Sequence, residues 1–445
     1  MVVTGGTCVT PSGTVEVDLG VRDGRVVALG SLAGDAHASR FDARGLLILP
    51  GIIDSQVHLR EPGLEHKETI SSGTAAALLG GVTTVLDMPN TIPPTTTPEA
   101  LADKVARVSG RSWTDIAFFV GATPGNASTL GALERLPGCA GVKLFMGSST
   151  GSLLVHEEAA LAEAMSHGTR RMAVHAEDEA RLRARRHLAE TSAGDVRAHP
   201  VWRDEQTARL ATDRCLRLAR RFGRRVHILH VTTAEELDAL AEHRDLATIE
   251  VTPQHLTLAA PDCYERLGTL AQMNPPIRDA RHREALWSAI RSGLVDVVGS
   301  DHAPHSLEEK RRPYPQSPSG MPGVQTLLPL MLTHVHEGRL SLSRLVDLTA
   351  AGPARVYGMA RKGRIAAGMD ADLTLVDPKR RVRLTNAMMR TACGWSPFDG
   401  FETVGFPVAA FLRGRLAMCD GELVGEPSGH LVMFEENLPA TSLVM

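Results

Sequence analysis

Apolar runs recur through the middle of this chain, and several of them end in a polar side chain. Five of them end in a residue that can bind a metal ion, and these span residues 51–58, 141–143, 172–175, 226–230 and 295–301. Three further runs have the same apolar character and span residues 83–88, 115–120 and 247–252. Unbroken apolar runs of this length are typical of strands buried on both faces of a parallel sheet. The pattern therefore predicts eight buried strands.

Helix-like patterns separate the apolar runs. They span residues 98–108, 157–166, 204–221, 234–243 and 281–292. This alternation of strands and helices predicts an α/β fold, a (β/α)8 TIM barrel. Both ends of the chain instead show short alternating strands, with turns at Asp23-Gly24 and Asp420-Gly421. We expect a barrel at residues 51–361, a small β-sandwich built from both termini (residues 1–50 and 362–430) and a C-terminal arm at residues 431–445.

Composition restricts the kinds of partner. The 445 residues suffice for one large domain and a smaller one, and the net charge of −3 gives no attraction to nucleic acid or to an anionic membrane. No apolar run reaches transmembrane length, and the N-terminus does not resemble a signal peptide. The six cysteines are far apart and show no paired spacing, which favours a reduced, cytoplasmic protein. We expect a small-molecule substrate and a homo-oligomer.

The polar residues that end the five runs form one set: His58, Lys143, His175, His230 and Asp301. In a parallel barrel the C-terminal ends of the strands meet at one face, where active sites form. Any single histidine could be an ordinary buried or surface residue, but core packing does not require such groups at five successive strand ends. The set predicts a metal site. Histidine and carboxylate ligands suit zinc, with manganese and iron as alternatives.

Lys143 and Asp301 differ chemically from the three histidines of the set. A protonated Lys143 cannot bind a cation, but its neutral amine could capture carbon dioxide and become an anionic carbamate, and burial lowers a lysine pKa in the required direction. The alternative is a buried lysine in an ion pair. Asp301 could accept a proton from water and pass it to a leaving nitrogen, which makes it the candidate catalytic residue. Its alternative role is a helix N-cap.

Eight stretches of the chain form a specific combination of motifs. They are DSQVHLREPG (54–63), DMPNT (87–91), KLFMG (143–147), HAED (175–178), HVT (230–232), VTPQHL (251–256), MNPP (273–276) and SDHAPH (300–305). Together they resemble the cyclic amidohydrolases, and among these the dihydroorotases, over nearly the whole chain. The resemblance implies a zinc-dependent hydrolase that interconverts L-dihydroorotate and N-carbamoyl-L-aspartate in de novo pyrimidine synthesis.

The resemblance also implies roles for the metal ligands. A carboxylated Lys143 would bridge two metal positions. His175 and His230 would complete one position, and His58 and Asp301 would complete the other.

Substrate contacts follow from the same resemblance. Arg60, Asn90 and His305 correspond to contacts with the substrate carboxylate, and Asn274 lies in a stretch that lines the substrate. Arg60 would offer a planar fork suited to a carboxylate; its alternative is a surface ion pair with Glu61 or Glu65. Hydantoinases and dihydropyrimidinases handle uncharged rings and usually lack this arginine, and allantoinases often have asparagine there. The glycines of residues 320–323 resemble a loop that approaches the substrate ring, although a plain turn would also explain them.

Gln56 departs from the family pattern, which has histidine at positions 56 and 58. Both side chains would point the same way because strand side chains alternate with a period of two. An amide oxygen is a neutral and weak zinc ligand. We therefore expect one zinc to be held tightly by His175, His230 and carboxylated Lys143, and a second zinc to be weak or absent.

Two other functions remain open. The chain could be another cyclic amidase, of the allantoinase or hydantoinase type. It could also be a non-catalytic dihydroorotase-like partner of aspartate transcarbamoylase. Gln56 favours the second alternative, whereas the retained polar residues argue against it, since a scaffold has no need of so many polar groups in one cleft.

Overall fold

The strands of this computed structural model form three sheets within the described residues, which are 1–10, 13–32, 38–148 and 153–437. In chain order the strands are β1 (Val2–Thr4), β2 (Thr7–Thr10), β3 (Gly13–Glu16), β4 (Asp18–Arg22), β5 (Arg25–Gly30), β6 (Arg40–Asp42), β7 (Leu47–Pro50), β8 (Ile52–Val57), β9 (Val82–Asp87), β10 (Asp115–Gly121), β11 (Cys139–Phe145), β12 (Met172–His175), β13 (Val226–Ile228), β14 (Ala247–Val251), β15 (Val297–Val298), β16 (Leu373–Arg383), β17 (Glu402–Leu412), β18 (Arg415–Cys419) and β19 (Glu422–Leu423).

Helices follow most of the central strands. The α-helices are α1 (Ile70–Leu79), α2 (Pro98–Ala106), α3 (Leu130–Leu133), α4 (Glu158–Ser166), α5 (Glu179–Arg185), α6 (His187–Glu190), α7 (Ala198–Trp202), α8 (Glu205–Phe222), α9 (Ala234–Ala241), α10 (Pro253–Thr257), α11 (Asp262–Leu267), α12 (Ala280–Arg291), α13 (Leu307–Lys310), α14 (Leu327–His336), α15 (Leu342–Val346) and α16 (Gly352–Tyr357). Short 3₁₀ helices span Ala127–Thr129, Gly268–Ala271, Asn386–Met388 and Glu435–Asn437, and a π-helical turn spans Asp347–Ala351.

The eight strands β8 to β15 pair in sequence order, and every pairing is parallel. The sheet closes between its two edges, where Val57 bridges His302 in parallel and the His58 amide donates to the His302 carbonyl oxygen across 2.8 Å. These eight strands confirm the (β/α)8 barrel predicted from the sequence.

Local sequence explains why the long helix α8 begins and ends where it does. Its N-cap Asp204 accepts a hydrogen bond from the amide of Thr207, and Gly223 ends the helix in the left-handed conformation. Its buried face carries small and apolar residues such as Ala211 and Cys215, which pack in the main core against the barrel. The sequence pattern predicted a helix at residues 204–221, in close agreement with the structure.

Strands from both termini build the smaller part of the molecule. The seven-stranded sheet has the order β19-β18-β17-β16-β7-β2-β3, so that N-terminal β7 pairs antiparallel with C-terminal β16. A four-stranded sheet has the order β5-β4-β1-β6. Side chains of both sheets share one apolar core, represented by Val3, Leu19 and Phe411. This arrangement confirms a β-sandwich built from both termini, and the exact boundaries at residues 50, 361 and 430 stay a prediction.

A long excursion between β16 and β17, residues 384–401, leaves the sandwich and packs against the barrel. The Trp395 indole N–H donates to the carbonyl oxygen of His305 across 2.8 Å. Thr391 donates to the buried carboxylate of Glu68, and the amide of Ala392 donates to the same carboxylate across 3.1 Å. The sandwich thereby supports two loops at the C-terminal face of the barrel.

The chain returns to the barrel after the sandwich. Leu431 bridges Ile116 of β10, and Phe434 bridges Met359. The remainder of the predicted C-terminal arm, residues 438–445, lies outside the described residues. No helix in the described ranges is long and apolar enough to span a membrane.

Candidate active site

One cavity at the C-terminal ends of the barrel strands collects most of the candidate site residues. All five predicted ligands line it, as do Arg60, Asn90 and Asn274, whereas His305 lies just outside. The complete lining is Gln56, His58, Arg60, Asn90, Lys143, Phe145, His175, His230, Asn274, Asp301, Ala303, Ser319 and Gly320. Residues far apart in the chain therefore meet, as Gln56 and Asp301 do across 245 positions, because parallel strands end at the same face.

His175 and His230 form the first pair of candidate ligands. Nδ1 of His175 lies 3.1 Å from Nε2 of His230. The other nitrogen of His175, Nε2, lies 2.9 Å from the Glu177 carboxylate, which fixes its proton there and leaves Nδ1 as an acceptor. Burial lowers the pKa of His175 and holds the pKa of His230 well below its usual range. Both rings are therefore neutral, the form that binds a metal ion.

Lys143 lines the same cavity as the two ligand pairs and is buried. Burial lowers the pKa of its amine to about 7, although the carboxylates of Asp301 and Glu250 oppose the shift. Its Nζ lies 4.6 Å from the centre of the Phe145 ring. Within the described part of the chain the amine has no salt-bridge partner, so the buried ion pair considered from the sequence is not seen there. A large neutral fraction near pH 7 is what carbamate formation requires.

His58 and Asp301 form the second pair. Nδ1 of His58 donates to the Asn90 side-chain oxygen across 2.6 Å, so that Nε2 presents its lone pair to Oδ1 of Asp301, 3.2 Å away. Two facing acceptors need a proton or a cation between them. Burial holds the pKa of His58 well below its usual range and raises the pKa of Asp301 to about 6. Gln56 donates from Nε2 to the same Asp301 oxygen across 3.0 Å.

Arg60 supplies a cation on the same side of the cavity. It is 1% exposed, its Nε donates to the Pro304 carbonyl oxygen across 3.2 Å, and its Nη1 has no hydrogen-bond partner in the described part of the chain. Burial lowers the pKa of Arg60 to about 10, so it stays charged at neutral pH. The carboxylate of Glu61 is instead bound by Arg107 and Arg111. The surface ion pair with Glu61 considered from the sequence is therefore absent.

His305 contacts Arg60 but does not line the cavity. Its Nδ1 accepts a hydrogen bond from the Lys67 ammonium across 3.1 Å, and its Nε2 donates to the Ser319 carbonyl oxygen across 3.1 Å. Nε2 of His305 also lies 3.5 Å from Nη2 of Arg60. The structure thus brings Arg60, His305 and Lys67 together, with His305 held between two cationic side chains.

The backbone of the loop after β15 also reaches the cavity. Gly320 has φ of +136°, and a Cβ there would lie 2.5 Å from the Ala303 carbonyl oxygen. No other residue fits this conformation without strain. The glycine therefore allows the close approach of the backbone that the sequence motif suggested. Across the cavity, the Asn274 side-chain oxygen accepts from His199 across 3.1 Å.

Three residues of the site have unusual backbone angles. Arg60, His230 and Asp301 have φ values of 62°, 38° and 44°, in the left-handed region that side chains other than glycine rarely adopt. The sequence predicted that strands continue to His230 and Asp301, but β13 ends at Ile228 and β15 at Val298. Backbone strain of this kind persists where the surrounding structure fixes it, commonly at functional sites.

Sequence reasoning missed the residues that hold these groups from behind. Glu177 accepts from His175 and is bound by Arg203 through hydrogen bonds of 2.6 and 3.0 Å. Despite its burial, the Arg203 guanidinium and His175 hold the pKa of the Glu177 carboxyl well below its usual range. The spacing of two residues from His175 could have pointed to Glu177, since such residues share one face of an extended segment. Nothing in the sequence pattern points to Arg203 or Lys67.

Comparison with known proteins now adds to this geometry. Residues 47–396 match the amidohydrolase family. Among curated proteins the chain is 40% identical over 406 residues to a dihydroorotase of Halobacterium salinarum, covering 91% of this chain and 92% of that protein. It is 38% identical over 402 residues to a dihydroorotase of Methanosarcina acetivorans, covering 87% and 85%. Among solved structures, the L-hydantoinase from Arthrobacter aurescens superimposes with a TM-score of 0.92 at 30% identity, covering 97% of this chain and 99% of that one.

The fold and these comparisons define a barrel hydrolase, and its candidate site lies at the C-terminal ends of the strands, where such barrels carry their active sites. The chain belongs to the amidohydrolase family. Metal dependence is general in this family, so the residues present can be tested for their fit to a metal ion.

The residues present fit a metal ion if Lys143 takes part. No three histidine, cysteine, aspartate or glutamate side chains within the described ranges form a metal cluster by themselves. The cavity instead holds one His–His pair and one His–Asp pair, with the amine of Lys143 on the same wall. Each pair supplies only two ligands, and an anionic carbamate on Lys143 would supply the third.

Proposed function

We propose that this protein is a dihydroorotase, which interconverts L-dihydroorotate and N-carbamoyl-L-aspartate. The single observation that carries the proposal is the buried Arg60. It lines the same cavity as the candidate ligands, and its Nη1 has no hydrogen-bond partner among the described residues. A buried guanidinium with an unused donor favours a substrate that brings a carboxylate, which L-dihydroorotate does. The curated dihydroorotase relatives, at 38–40% identity over most of the chain, support the same assignment.

The metal proposed for this site is zinc. His175, His230 and a carboxylated Lys143 would hold one ion tightly. His58, Asp301 and the same carbamate would hold a second ion weakly or not at all, because Gln56 contributes a neutral amide. Zinc bound there would supply Lewis acidity toward the ring amide carbonyl and the attacking water.

Asp301 is the proposed acid–base residue. Its Oδ1 is engaged by Gln56 and His58, which leaves the second carboxylate oxygen for proton transfer. In hydrolysis, the water oxygen bonds to the ring amide carbon and Asp301 accepts the water's proton. Asp301 then gives that proton to the ring nitrogen as the carbon–nitrogen bond breaks. The reverse sequence of steps cyclises N-carbamoyl-L-aspartate.

Arg60 and Asn90 are proposed to orient the ring through its carboxylate. His305 would act on this contact chiefly through Arg60, which it touches from behind. Asn274 and the backbone at Gly320 would line the opposite side of the ring, where they exclude water from the reacting amide. Together these contacts would hold the amide carbon within reach of the attacking water.

The rival function is that of a hydantoinase-type or allantoinase-type cyclic amidase, favoured by the close structural match to the Arthrobacter aurescens protein. A panel of L-dihydroorotate, hydantoin, dihydrouracil and allantoin, each offered to zinc-loaded protein, separates these functions. We expect ring opening to be at least about 100-fold more efficient for L-dihydroorotate, the gain expected from one buried charge pair. A preference for an uncharged ring would reject the proposal, and inactivity on all four would favour the non-catalytic alternative.

We propose a cytoplasmic homo-oligomer that can associate with aspartate transcarbamoylase. Cytoplasmic location is supported by the six cysteines, all of which are free thiols. Sedimentation of the protein alone and with aspartate transcarbamoylase measures both kinds of assembly, and a lone monomer in each case would contradict them.

A further inference from the structure

A second cavity, of about 250 Å³, lies at the opposite end of the barrel from the active site. Arg170 and Arg171 immediately precede β12, and Arg225 immediately precedes β13, which places them at the N-terminal ends of the strands. The lining also includes the last residues of α16 and the segment after Phe434. In full it is Ala140, Thr169, Arg170, Arg171, Arg225, Arg355, Val356, Tyr357, Gly358, Phe434, Glu435 and Glu436.

Four arginines and two glutamates, the exposed Glu435 and Glu436, line this cavity, and the arginines are only partly neutralised. Arg170 is paired with Glu436, and Arg355 reaches Asp347 across 3.4 Å. The side chain of Arg225 is exposed, and it forms no hydrogen bond or salt bridge within the described residues; only its backbone carbonyl is bound, by the amide of Met172. Arg171 donates from Nη1 to two carbonyl oxygens, those of Val226 and Leu246, and meets no carboxylate.

Two buried polar groups on the cavity wall lack partners. Among the residues that the structure describes, Nε of Arg171 has no acceptor, and the hydroxyl of Tyr357, a residue only 7% exposed, has no hydrogen-bond partner. Burial and the neighbouring Arg225 lower the pKa of Arg171 to about 10, although Tyr357 and Asp296 oppose the shift. Leaving buried donors unpaired costs free energy, so a small shift of these side chains toward a ligand that accepts hydrogen bonds would be favourable.

We propose that this cavity is a binding site for a small phosphate-bearing molecule. A phosphate group offers several acceptor oxygens and more than one negative charge, and so can neutralise Arg171 and Arg225 together. Guanidinium groups match phosphate oxygens in planar, paired geometry. The volume of about 250 Å³ is large enough for a small organic group beside the phosphate.

The site is separate from the proposed chemistry, because no residue that lines it lines the active-site cavity. The nearest link is Tyr357, whose ring packs edge-on against His227 at 5.6 Å between ring centres. His227 belongs to β13, the strand that leads to His230. A ligand here would therefore contact the opposite end of a strand that carries a proposed metal ligand.

Calorimetric titration of the zinc-loaded protein with inorganic phosphate, and separately with glycerol phosphate, tests the site. Chloride keeps the ionic strength constant, and glycerol serves as the uncharged control. We expect saturable binding of one ligand per chain for both phosphates and none for glycerol. Arg225→Ala should weaken binding about tenfold, as expected for a lost charge-assisted contact. Arg225→Lys, which keeps the charge but loses the planar fork, should fall between Arg225→Ala and the parent protein.

Three matched variants complete the test. Arg291→Ala removes an exposed arginine of α12 that does not line the cavity, and it should leave binding unchanged. Tyr357→Phe keeps the ring and removes the hydroxyl, and it should weaken binding severalfold. Arg60→Ala should have no effect, since a loss of binding there would place the phosphate in the active site. No saturable binding by the parent protein, or equal binding by Arg225→Ala, would overturn the proposal.

Discussion

The side-chain amide of Gln56 donates a hydrogen bond to Oδ1 of Asp301 across 3.0 Å. At this position the family pattern has a histidine, which would bind metal directly. Gln56 instead holds the carboxylate of the proposed acid–base residue, and its own Oε1 is buried with no hydrogen-bond partner among the described residues. The site therefore keeps the orientation of Asp301 while it lacks one strong ligand.

Replacing Gln56 tests how much its amide weakens the binding of a second zinc ion. Gln56→His would place an imidazole beside His58 and Asp301, so we expect a second tightly held zinc per chain. Zinc content after dialysis against a weak chelator measures it, with Gln56→Asn as the control that keeps an amide. If Gln56→His and the parent protein retain the same amount of zinc, position 56 does not limit the second metal position.

Glu177 should control metal affinity through His175, whose Nε2 it binds at 2.9 Å. Carboxylate partners of this kind fix the ring and raise its basicity, so Glu177→Gln should weaken zinc binding about 10- to 100-fold. Competition with a fluorescent zinc chelator measures this at a temperature where both proteins are folded. Glu179→Gln is the matched control, because Glu179 binds Ser148 and Arg183 rather than a histidine. Equal losses in the two variants would show that Glu177 has only a structural role.

Arg60 should determine the preference for an acidic ring. Arg60→Ala should lower kcat/KM for L-dihydroorotate about 100-fold, mainly through KM, because a buried charged contact is lost. Its rate on dihydrouracil, which has no carboxylate, should change little. Arg111→Ala, which removes a partly exposed partner of Glu61, should affect neither substrate. Parallel losses on both substrates would mean that Arg60 supports the fold rather than the substrate.

Lys310 gives a pH dependence of stability that is independent of the active-site metal. Its buried ammonium donates to the carbonyl oxygens of Gln272 and Pro318 across 3.0 and 2.8 Å. Burial lowers its pKa from 10.5 to about 7. Between these pH values the unfolded chain binds a proton that the folded chain does not. The free energy of unfolding should therefore gain a contribution that rises from about pH 7 toward pH 10.

The variant Lys310→Met should flatten this rise, because it removes the titrating group and keeps an unbranched side chain. Urea unfolding at a series of pH values measures the slope. Lys379→Met is the control, since Lys379 is exposed on β16. An identical slope in Lys310→Met and the control would show that Lys310 keeps its proton in the folded state.

The barrel and the convergence of its strand-end residues could be predicted from the sequence. Apolar runs such as Met172–His175 are buried along their whole length, so each predicts a parallel strand and places its last residue at one face. The pattern was less reliable near the end of the barrel. β15 contains only Val297–Val298, and Asp301 reaches the cavity through a left-handed backbone rather than as the end of a strand.

The support behind the site could not be predicted, because it depends on contacts between distant segments. Arg203, just before α8, binds Glu177, which follows β12. Trp395, in the segment between β16 and β17, donates to the carbonyl oxygen of His305. Hydrophobic periodicity reports which face of an element is buried, but it does not report which polar groups meet across loops. For the same reason the sequence did not predict that the arginines at the opposite end of the barrel lie together, since Arg171 and Arg225 are 54 positions apart.

The central claim is that this site opens the L-dihydroorotate ring with one tightly held zinc. The most direct measurement is the initial rate of ring opening as zinc is added stepwise to metal-free protein in the presence of bicarbonate. We predict that the rate rises linearly and reaches most of its maximum near one zinc per chain. A rate that requires two tightly bound zinc ions, or no ring opening at any zinc level, would contradict the claim.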